Sequence, residues 1–582
     1  MSKVTVYFNG VPVEAESDQT ILEAARSHGI KIPTLCHMEE LVPSGACRIC
    51  VVEVEGIRNL VPSCAYPVAE GMVVKTHSPR IRRARKTIIE LLLANHPDEC
   101  LYCLRNGDCE LQKLAQEFGI RERRYSGHKR TYAIDSSSAA IERDPNKCIL
   151  CGRCVRVCDE IQGVGAIDFI GRGFDNMVLP PFNEDIADSD CVFCGQCVLA
   201  CPTGALREKS ALGNVWTAIL DPHKKVIVQI APAVRVSIAE ELGMEPGTDI
   251  TGKLIAGLRR LGFDRVFDTN FAADVTIMEE ASELVERIKN GGPLPLMTSC
   301  SPAWIKFIER NYPDMLENLS SCKSPQQMFG ALAKTYYAQK QNWSAGDIFV
   351  VSIMPCTAKK FEATREEMGR DGYHDVDAVL TTRELLRMFS TAGVEVLKLA
   401  DGEFDHPLGE STGAAVIFGT TGGVSEAALR TASYLITGKE PEKLDFQVLR
   451  GYKGIKEAEV AIGDLTLKCA VVHGLKNART VLDGLRDGLL KYDFIEVMSC
   501  PGGCVGGGGQ PAAKRENVRA RAQALYMIDV VKSKRASHQN PEVKELYKSF
   551  LEKPLSEKAH QLLHTTYVPH YPKELETIYK KS

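Results

Sequence analysis

The sequence has no long apolar run. Its longest, Thr87 to Ala94 and Val226 to Val236, fall far short of the roughly 20 residues that cross a bilayer, so no membrane span is expected. Neither sign of charge dominates: 71 Lys and Arg stand against 75 Asp and Glu, a formal net charge of −4, which argues against a dedicated nucleic-acid binder. The opening residues MSKVTVYFNG lack a charged region followed by an apolar segment, so no secretory signal is read there and a cytoplasmic location is the expectation. No Gly-x-Gly-x-x-Gly follows a strand and opens a helix, which excludes an evident nucleotide or flavin domain. Cysteine, by contrast, is plentiful. There are 21 cysteines, and their odd number and C-x2-C runs favour metal thiolates in a reducing compartment over disulfides.

At 582 residues the chain is too long for one core. Residues 3–14 alternate around Asn9-Gly10, a hairpin pattern, and a short helix follows over Ile21 to Gly29, opened near Ser17 or Asp18. Next come Cys36, Cys47, Cys50 and Cys64, spaced x10, x2 and x13. This stretch resembles the plant-type [2Fe-2S] ferredoxin domain, with a first spacing closer to the N-terminal domain of the large iron-sulfur subunit of respiratory complex I; a four-cysteine zinc site is the alternative. Residues 78–94 suit a helix with Pro79 near its start, its basic run Arg80 to Lys86 reading as a solvated or cluster-neighbouring face. Beyond it lies His96-x3-Cys100-x2-Cys103-x5-Cys109. Three cysteines leave a four-ligand set one short and His96 fills the vacancy, for a [4Fe-4S] cluster or, alternatively, zinc.

Ser137 to Ala140 reads as a linker. Two runs follow, Cys148-x2-Cys151-x2-Cys154-x3-Cys158 and Cys191-x2-Cys194-x2-Cys197-x3-Cys201-Pro202, each supplying thiolates for an iron-sulfur cube, with the fourth ligand of each run expected on the other cube. A glycine after the second ligand of each run lets backbone amides turn towards inorganic sulfur. From about residue 212 the pattern becomes one of short apolar strands, Val226 to Ile230, Ile348 to Met354, Ala414 to Phe418 and Ala470 to Val472, separated by helical segments such as Val234 to Leu242 and Ile255 to Leu261, an α/β alternation. The expected architecture is therefore multidomain: an N-terminal β-grasp [2Fe-2S] ferredoxin-like domain (1–78), a histidine-and-cysteine-ligated cluster domain (79–137), a two-cluster ferredoxin-like domain (138–210), a large α/β catalytic domain (211–520) and a helical C-terminal segment (521–582).

The stretches Thr298-Ser-Cys300-Ser-Pro-Ala-Trp304, Met354-Pro-Cys356-Thr-Ala-Lys-Lys-Phe-Glu362 and Glu496-Val-Met-Ser-Cys500-Pro-Gly-Gly-Cys504 with its following glycines resemble the three signature segments of the [FeFe]-hydrogenase catalytic domain, and the module order resembles the catalytic subunit of cytoplasmic NAD(P)-linked multisubunit enzymes. The resemblance implies reversible hydrogen oxidation and proton reduction at an H-cluster, a [4Fe-4S] cube joined to a two-iron unit with carbon monoxide, cyanide and dithiolate ligands. Cys356, Cys500 and Cys504 would hold the cube, with Cys504 the bridge. Lys359 would donate to one cyanide, the backbone at Ala231-Pro232 would touch the other, and Met354 and Met498 would pack against the irons. The implied proton relay is Cys300, Glu280, Ser320 and Glu283, with Arg287 at its outer end.

The family has adjacent cysteines where this chain has Cys300 and Ser301. Three arrangements stay open: Ser301 ligates as an alkoxide, Cys300 moves into the ligand role, or the site is impaired. Cys322 is another thiol in reach of the region. One [2Fe-2S] and three accessory [4Fe-4S] clusters would carry electrons, and the resemblance implies as partners a flavin- and NAD(P)-binding subunit, a small iron-sulfur subunit, ferredoxin and maturation proteins. The competing readings are an electron-transfer subunit like the complex I large iron-sulfur subunit, which leaves the Cys356, Cys500 and Cys504 segments without a purpose, and a hydrogen sensor, for which the tail after residue 511 offers too little sequence.

Overall fold

The computed structural model describes residues 2–126 and 129–570; the end of the expected C-terminal segment lies outside them. Strands Lys3–Phe8 and Val11–Glu16 pair antiparallel with Phe8 opposite Val11. Asn9 and Gly10 between them take φ of 52° and 89°, the two left-handed conformations of a type I′ turn. The five strands lie in the order Val11–Glu16, Lys3–Phe8, Val73–Lys75, Val51–Val54, Val61–Pro62, and helix Ile21–Ser27 packs among Val6, Phe8, Val52 and Val74. That is the expected β-grasp. The helix begins later than Ser17 or Asp18 because Thr20 and Glu23 form a reciprocal capping box that satisfies amides at both positions.

Helix Pro79–Asn95 starts at a Ser78 cap with proline in its first turn, the position where a missing N–H costs nothing. Its basic face is divided: Arg82, Arg83 and Lys86 are exposed, whereas Arg85 is buried and donates to the Val51 carbonyl at 2.8 Å. In the two-cluster unit, strand Ile141–Arg143 pairs antiparallel with Leu206–Glu208, and Asp168–Ile170 with Met177–Leu179. The stretch Ser137 to Ala140 is not a loose linker. Ser138 and Ala140 are buried, and the Ser138 hydroxyl accepts from the amides of Ala140 and Ile141 at 3.0 and 2.9 Å, turning the chain into its first strand.

Two four-stranded sheets organise the large C-terminal region. One is wholly parallel, in the order Arg265–Asp268, Lys225–Ile230, Ile348–Met354, Ala378–Thr381. Its strands are apolar and almost wholly buried, as parallel strands covered on both faces must be. The other runs Leu296–Met297, Phe494–Met498, Leu465–His473, Ile455–Ile462, with only the last pair antiparallel. The segment Ala414 to Phe418 is not a strand: it forms helix Gly413–Val416 and a 3₁₀ turn over Ile417–Gly419. It is buried on every side, so no alternation of polarity marks its period. The helix expected over Val234 to Leu242 is broken into Pro232–Arg235 and a 3₁₀ turn at Ile238–Leu242.

Helix Thr269–Asn290 leaves the first sheet directly and carries Glu280, Glu283 and Arg287. The boundary expected at residue 520 falls inside helix Arg515–Val531. That helix is locked to the catalytic body by two ion pairs, Arg521 with the half-buried Glu240 at 2.6 Å and the fully buried Asp529 with Arg430 at 2.9 Å. Among the described residues no helix is long and apolar enough to cross a membrane.

Candidate active site and cluster sites

All the segments singled out in the catalytic region emerge from the carboxyl ends of strands. Ala231 and Pro232 follow Lys225–Ile230, Cys300 and Ser301 follow Leu296–Met297, Cys356 follows Ile348–Met354, and Cys500 and Cys504 follow Phe494–Met498. The strand ends of open α/β sheets are where ligand crevices form. Here they enclose a cavity of about 90 Å³ lined by Ala231, Pro232, Cys300, Ser301, Met354, Cys356, Lys359, Met498, Cys500, Cys504 and Cys194, together with Phe418, Gln326 and Ser499. Burial raises the thiol pKa of Cys500, and Cys356 and Cys504 beside it raise it further; Cys504 is pushed up to about 12 by burial and then by Cys356. Three thiols so placed are poor anions by themselves, and a metal that takes their protons resolves the conflict.

Glycines permit the enclosure. A Cβ on Gly507 would sit 2.2 Å from the Pro355 carbonyl oxygen, and one on Gly508 2.2 Å from that of Cys194. Lys359 reaches the cavity with its ammonium bound to Glu362 at 2.9 Å and to the Cys300 carbonyl at 3.1 Å. Ser301 directs its hydroxyl to the Ser499 hydroxyl, 2.7 Å away.

A line of exchangeable groups leads outwards from Cys300. Burial raises the Cys300 thiol pKa strongly and the neighbouring Glu280 carboxylate adds to the shift. Burial, then Glu283, lifts Glu280 itself to about 8, and its Oε2 is buried without a hydrogen-bond partner. The Ser320 hydroxyl donates to Glu283 at 3.1 Å, and Arg287 donates to the other oxygen of Glu283 at 2.6 Å. Cys322 lies beside Glu283, its sulfur 4.0 Å from Oε2, and not among the cavity's thiols. Sequence reading missed a branch from this line: Ser321 lies 3.3 Å from Glu283 and 2.8 Å from His564 Nδ1, and His564 Nε2 lies 3.1 Å from Glu279. No local pattern joins residues so far apart in the chain.

The N-terminal sets also converge. Cys50 and Cys64 place their sulfurs 3.4 Å apart, and the Cys47 amide donates to Cys36 Sγ at 3.5 Å. Hydrogen bonds from Cys47 and then Cys64 hold the Cys36 thiol far below its ordinary range, so the four sulfurs form one group. His96, Cys100, Cys103 and Cys109 line a single small cavity. The His96 Nδ1 lies 3.1 Å from the Pro97 carbonyl, and its Nε2 is buried with no partner. A carbonyl on one nitrogen leaves the lone pair of the other for a metal, so the set fits a histidine-ligated centre.

In the two-cluster unit one cavity is lined by Cys148, Cys151 and Cys154 with Cys201, and another by Cys191, Cys194 and Cys197 with Cys158. Each cavity thus gathers three cysteines of one run with the last cysteine of the other, a grouping that suits the expected exchange of fourth ligands. The sequence repeat is a backbone repeat as well: Leu150 and Phe193 take φ of 55° and 59°, Gly152 and Gly195 take 71° and 72°, and the amides of Leu150 and Phe193 each donate to a ligand sulfur at 3.4 Å.

Known families follow the same divisions. Residues 224–508 match the C-terminal domain of the iron-only hydrogenase large subunit and 515–570 the iron hydrogenase small subunit. Residues 1–79 match a 2Fe-2S iron-sulfur cluster binding domain, 85–124 the NADH-ubiquinone oxidoreductase-G iron-sulfur binding region, and 147–205 a 4Fe-4S dicluster domain. The chain is 51% identical over 580 residues to the NADP-reducing hydrogenase subunit HndD of Solidesulfovibrio fructosivorans, covering 97% of this chain and 99% of that one. It is 42% identical over 574 residues to iron hydrogenase 1 of Clostridium pasteurianum, with the same coverage. A variant of the [FeFe]-hydrogenase HydA1 from Chlamydomonas reinhardtii aligns in structure with a TM-score of 0.57 and 44% identity, over 62% of this chain and 99% of that one. With these matches running the length of a fold that gathers cysteines at strand ends, the chain belongs to the [FeFe]-hydrogenase family, as a catalytic subunit that carries its own iron-sulfur domains.

Proposed function

We propose that the chain oxidises hydrogen and reduces protons reversibly at an H-cluster held in the cavity between the two sheets, with Cys356, Cys500 and Cys504 as thiolate ligands of its cube and Cys504 as the bridge. The observation that carries this reading is the meeting of three distant thiols in one cavity from which buried acids lead outwards. When bound, the two-iron unit supplies heterolytic activation of hydrogen, its bridging amine serving as the first base. Met354 and Met498 line the apolar wall and exclude water, Ala231 and Pro232 bring backbone close, and Lys359 holds a positive charge over the Cys300 carbonyl. Protons move between the Cys300 sulfur, the Glu280 carboxyl, the Ser320 hydroxyl and the Glu283 carboxyl, with Arg287 fixing the outer carboxylate.

One [2Fe-2S] cluster at Cys36, Cys47, Cys50 and Cys64, one [4Fe-4S] cluster at His96, Cys100, Cys103 and Cys109, and two cubes in the dicluster unit carry the electrons. The relative HndD is by name a subunit of an NADP-reducing hydrogenase, and no nucleotide fingerprint occurs in this chain. The pyridine nucleotide is therefore bound by a separate flavin-containing subunit, assisted by a small iron-sulfur subunit or ferredoxin, in the cytoplasm. After maturation by the assembly proteins, infrared bands of iron-bound carbon monoxide and cyanide are expected; an intact, iron-loaded protein without them would overturn the catalytic reading. Stoichiometric zinc in the purified protein would overturn the assignment of the His96 set. Hydrogen-dependent NADP reduction that requires the flavin subunit tests the partner reading.

A further inference from the structure

We infer that the fourth corner of the catalytic cube is held by oxygen, through the Oγ of Ser301, and that Cys300 stays outside the ligand set. The inference rests on the proposed cube site. A cube has four irons to bind, and Cys356, Cys500 and Cys504 supply three sulfurs. Cys300 and Ser301 are the remaining candidates, and adjacent residues in extended backbone direct their side chains to opposite sides.

Two features send the serine, not the cysteine, towards the cube. Ser301 is the N-cap of helix Pro302–Asn311, where a serine hydroxyl ordinarily accepts an amide of the first turn. Here it makes no cap bond. Its oxygen is instead 2.7 Å from the Ser499 hydroxyl and accepts from the Ser499 amide at 3.4 Å. Ser499 directly precedes Cys500, so the Ser301 oxygen is held against the loop that presents a cube thiol. Cys300 lines the same cavity but packs with Phe418 and Met498, on the flank that leads to Glu280, and makes no comparable contact with the Cys500 loop.

The chemistry balances without an oxidant. As the iron binds, Ser301 releases its hydroxyl proton to solvent and an Fe–O bond forms where a thiolate would otherwise make an Fe–S bond; no electron is exchanged. Three thiolates and one alkoxide carry the same ligand charge as four thiolates. The Ser499 hydroxyl and amide are two donors placed to stabilise the alkoxide. An oxygen anion is a harder donor than sulfur and favours the oxidised cube, so the cube of this chain should be more difficult to reduce than one with four thiolates.

The test uses the full-length, cluster-loaded protein and four variants, read by iron analysis and electron paramagnetic resonance. Ser301→Ala should lose one iron per chain and show the signal of an oxidised three-iron cluster. Ser301→Cys should keep the four-iron cube, folded as before, with a potential shifted upwards. Cys300→Ala should keep all four irons. Unchanged iron and spectrum in Ser301→Ala, or loss of the iron in Cys300→Ala instead, would overturn the oxygen ligand. Cys500→Ala separates the two levels: if it too leaves the cube signal intact, the cube site itself is wrong, whereas loss of the cube there with Ser301→Ala intact rejects the serine alone.

Discussion

Glu280 has no room for a charge. Burial and the carboxylate of Glu283 raise its pKa from 4.5 to about 8, so near neutral pH it carries a proton that an exposed glutamate would have lost. That is the state a relay acid needs when it hands a proton inwards, and the uncommitted Oε2 leaves an oxygen free to exchange. Glu280→Gln keeps the shape and removes the exchangeable acid; turnover should fall by about 10² to 10⁴, with the infrared bands of the di-iron unit unmoved. A variant with normal turnover would remove Glu280 from the relay. The stability of the protein should change with pH in a definite sense as well. Below pH 4.5 the proton is bound in both folded and unfolded chains, and between 4.5 and about 8 only the folded chain retains it. Stability is therefore lost as pH rises through that window, by up to about 1.4 kcal/mol per pH unit. Denaturation of Glu280→Gln at several pH values should give a shallower decline than wild type. Nothing in the local sequence marks Glu280, since a Glu-rich helix is usually a solvated face; only the resemblance singled it out, because burial is set by helix Gly423–Thr437 and the Ser320 loop packing on the other side of it.

At the scale of the element, what was legible followed local chemistry. Asn9-Gly10 requires two left-handed residues and Pro79 suits a first turn, so the hairpin and the helix after Ser78 were readable where they occur. The run Ala414 to Phe418 was not, because a short segment buried on all sides has no polar face to reveal its period. The glycine stretch after Cys504 stood out in the sequence as part of a signature segment, and its physical reason is the close packing against both Pro355 and the Cys194 loop. Gly508→Ala would drive a methyl into the Cys194 carbonyl, and overpacking of this kind costs about 1 to 3 kcal/mol. The expected result is reduced iron retention and faster proteolysis between the dicluster unit and the catalytic region; wild-type behaviour would mean that the contact can yield. The C-terminal helix Glu557–Leu563 presents the other test. The residue that ends it, His564, bridges Ser321 to Glu279, and Tyr547 donates to the same Glu279 at 2.5 Å. Removing one partner from a buried carboxylate costs about 1 to 3 kcal/mol, so His564→Ala should lower the unfolding midpoint and expose the 541–563 region to protease, an outcome that an unchanged midpoint would contradict.

The order of modules was legible along the whole molecule because cysteine spacing is a local signal, but their docking was not, because it depends on single contacts between distant segments. Arg153 makes a two-pronged ion pair with Glu110, at 2.6 and 2.9 Å, and ties the module that carries His96 to the first cysteine run. Gln196 donates to the Gly506 carbonyl at 2.9 Å and ties the second cysteine run to the loop after Cys504. The β-grasp module is held by the loop that carries its first cysteine: Arg156 donates to the carbonyls of Cys36 and Val42, both at 2.5 Å, while Glu160 accepts from the Val42 amide at 2.9 Å. Arg156 lies between Cys154 and Cys158, so one side chain spans from the Cys36 loop to the first cysteine run of the dicluster unit. Electron transfer through protein falls steeply with separation, and this is the place where a small displacement would matter most for the outer cluster. Arg156→Ala removes two charge-assisted bonds, worth about 1.5 to 3 kcal/mol together after discounting for partial exposure. Since 1.4 kcal/mol is tenfold in an equilibrium, the loop should open at least about ten times more often, seen as faster hydrogen exchange over 36–42. Reduction of the [2Fe-2S] cluster by hydrogen should slow, while hydrogen evolution from a small dye that reaches the inner cubes directly should stay at the wild-type rate. Equal slowing with both electron donors would place the effect of Arg156 on the cubes and remove it as the tether of the outer module.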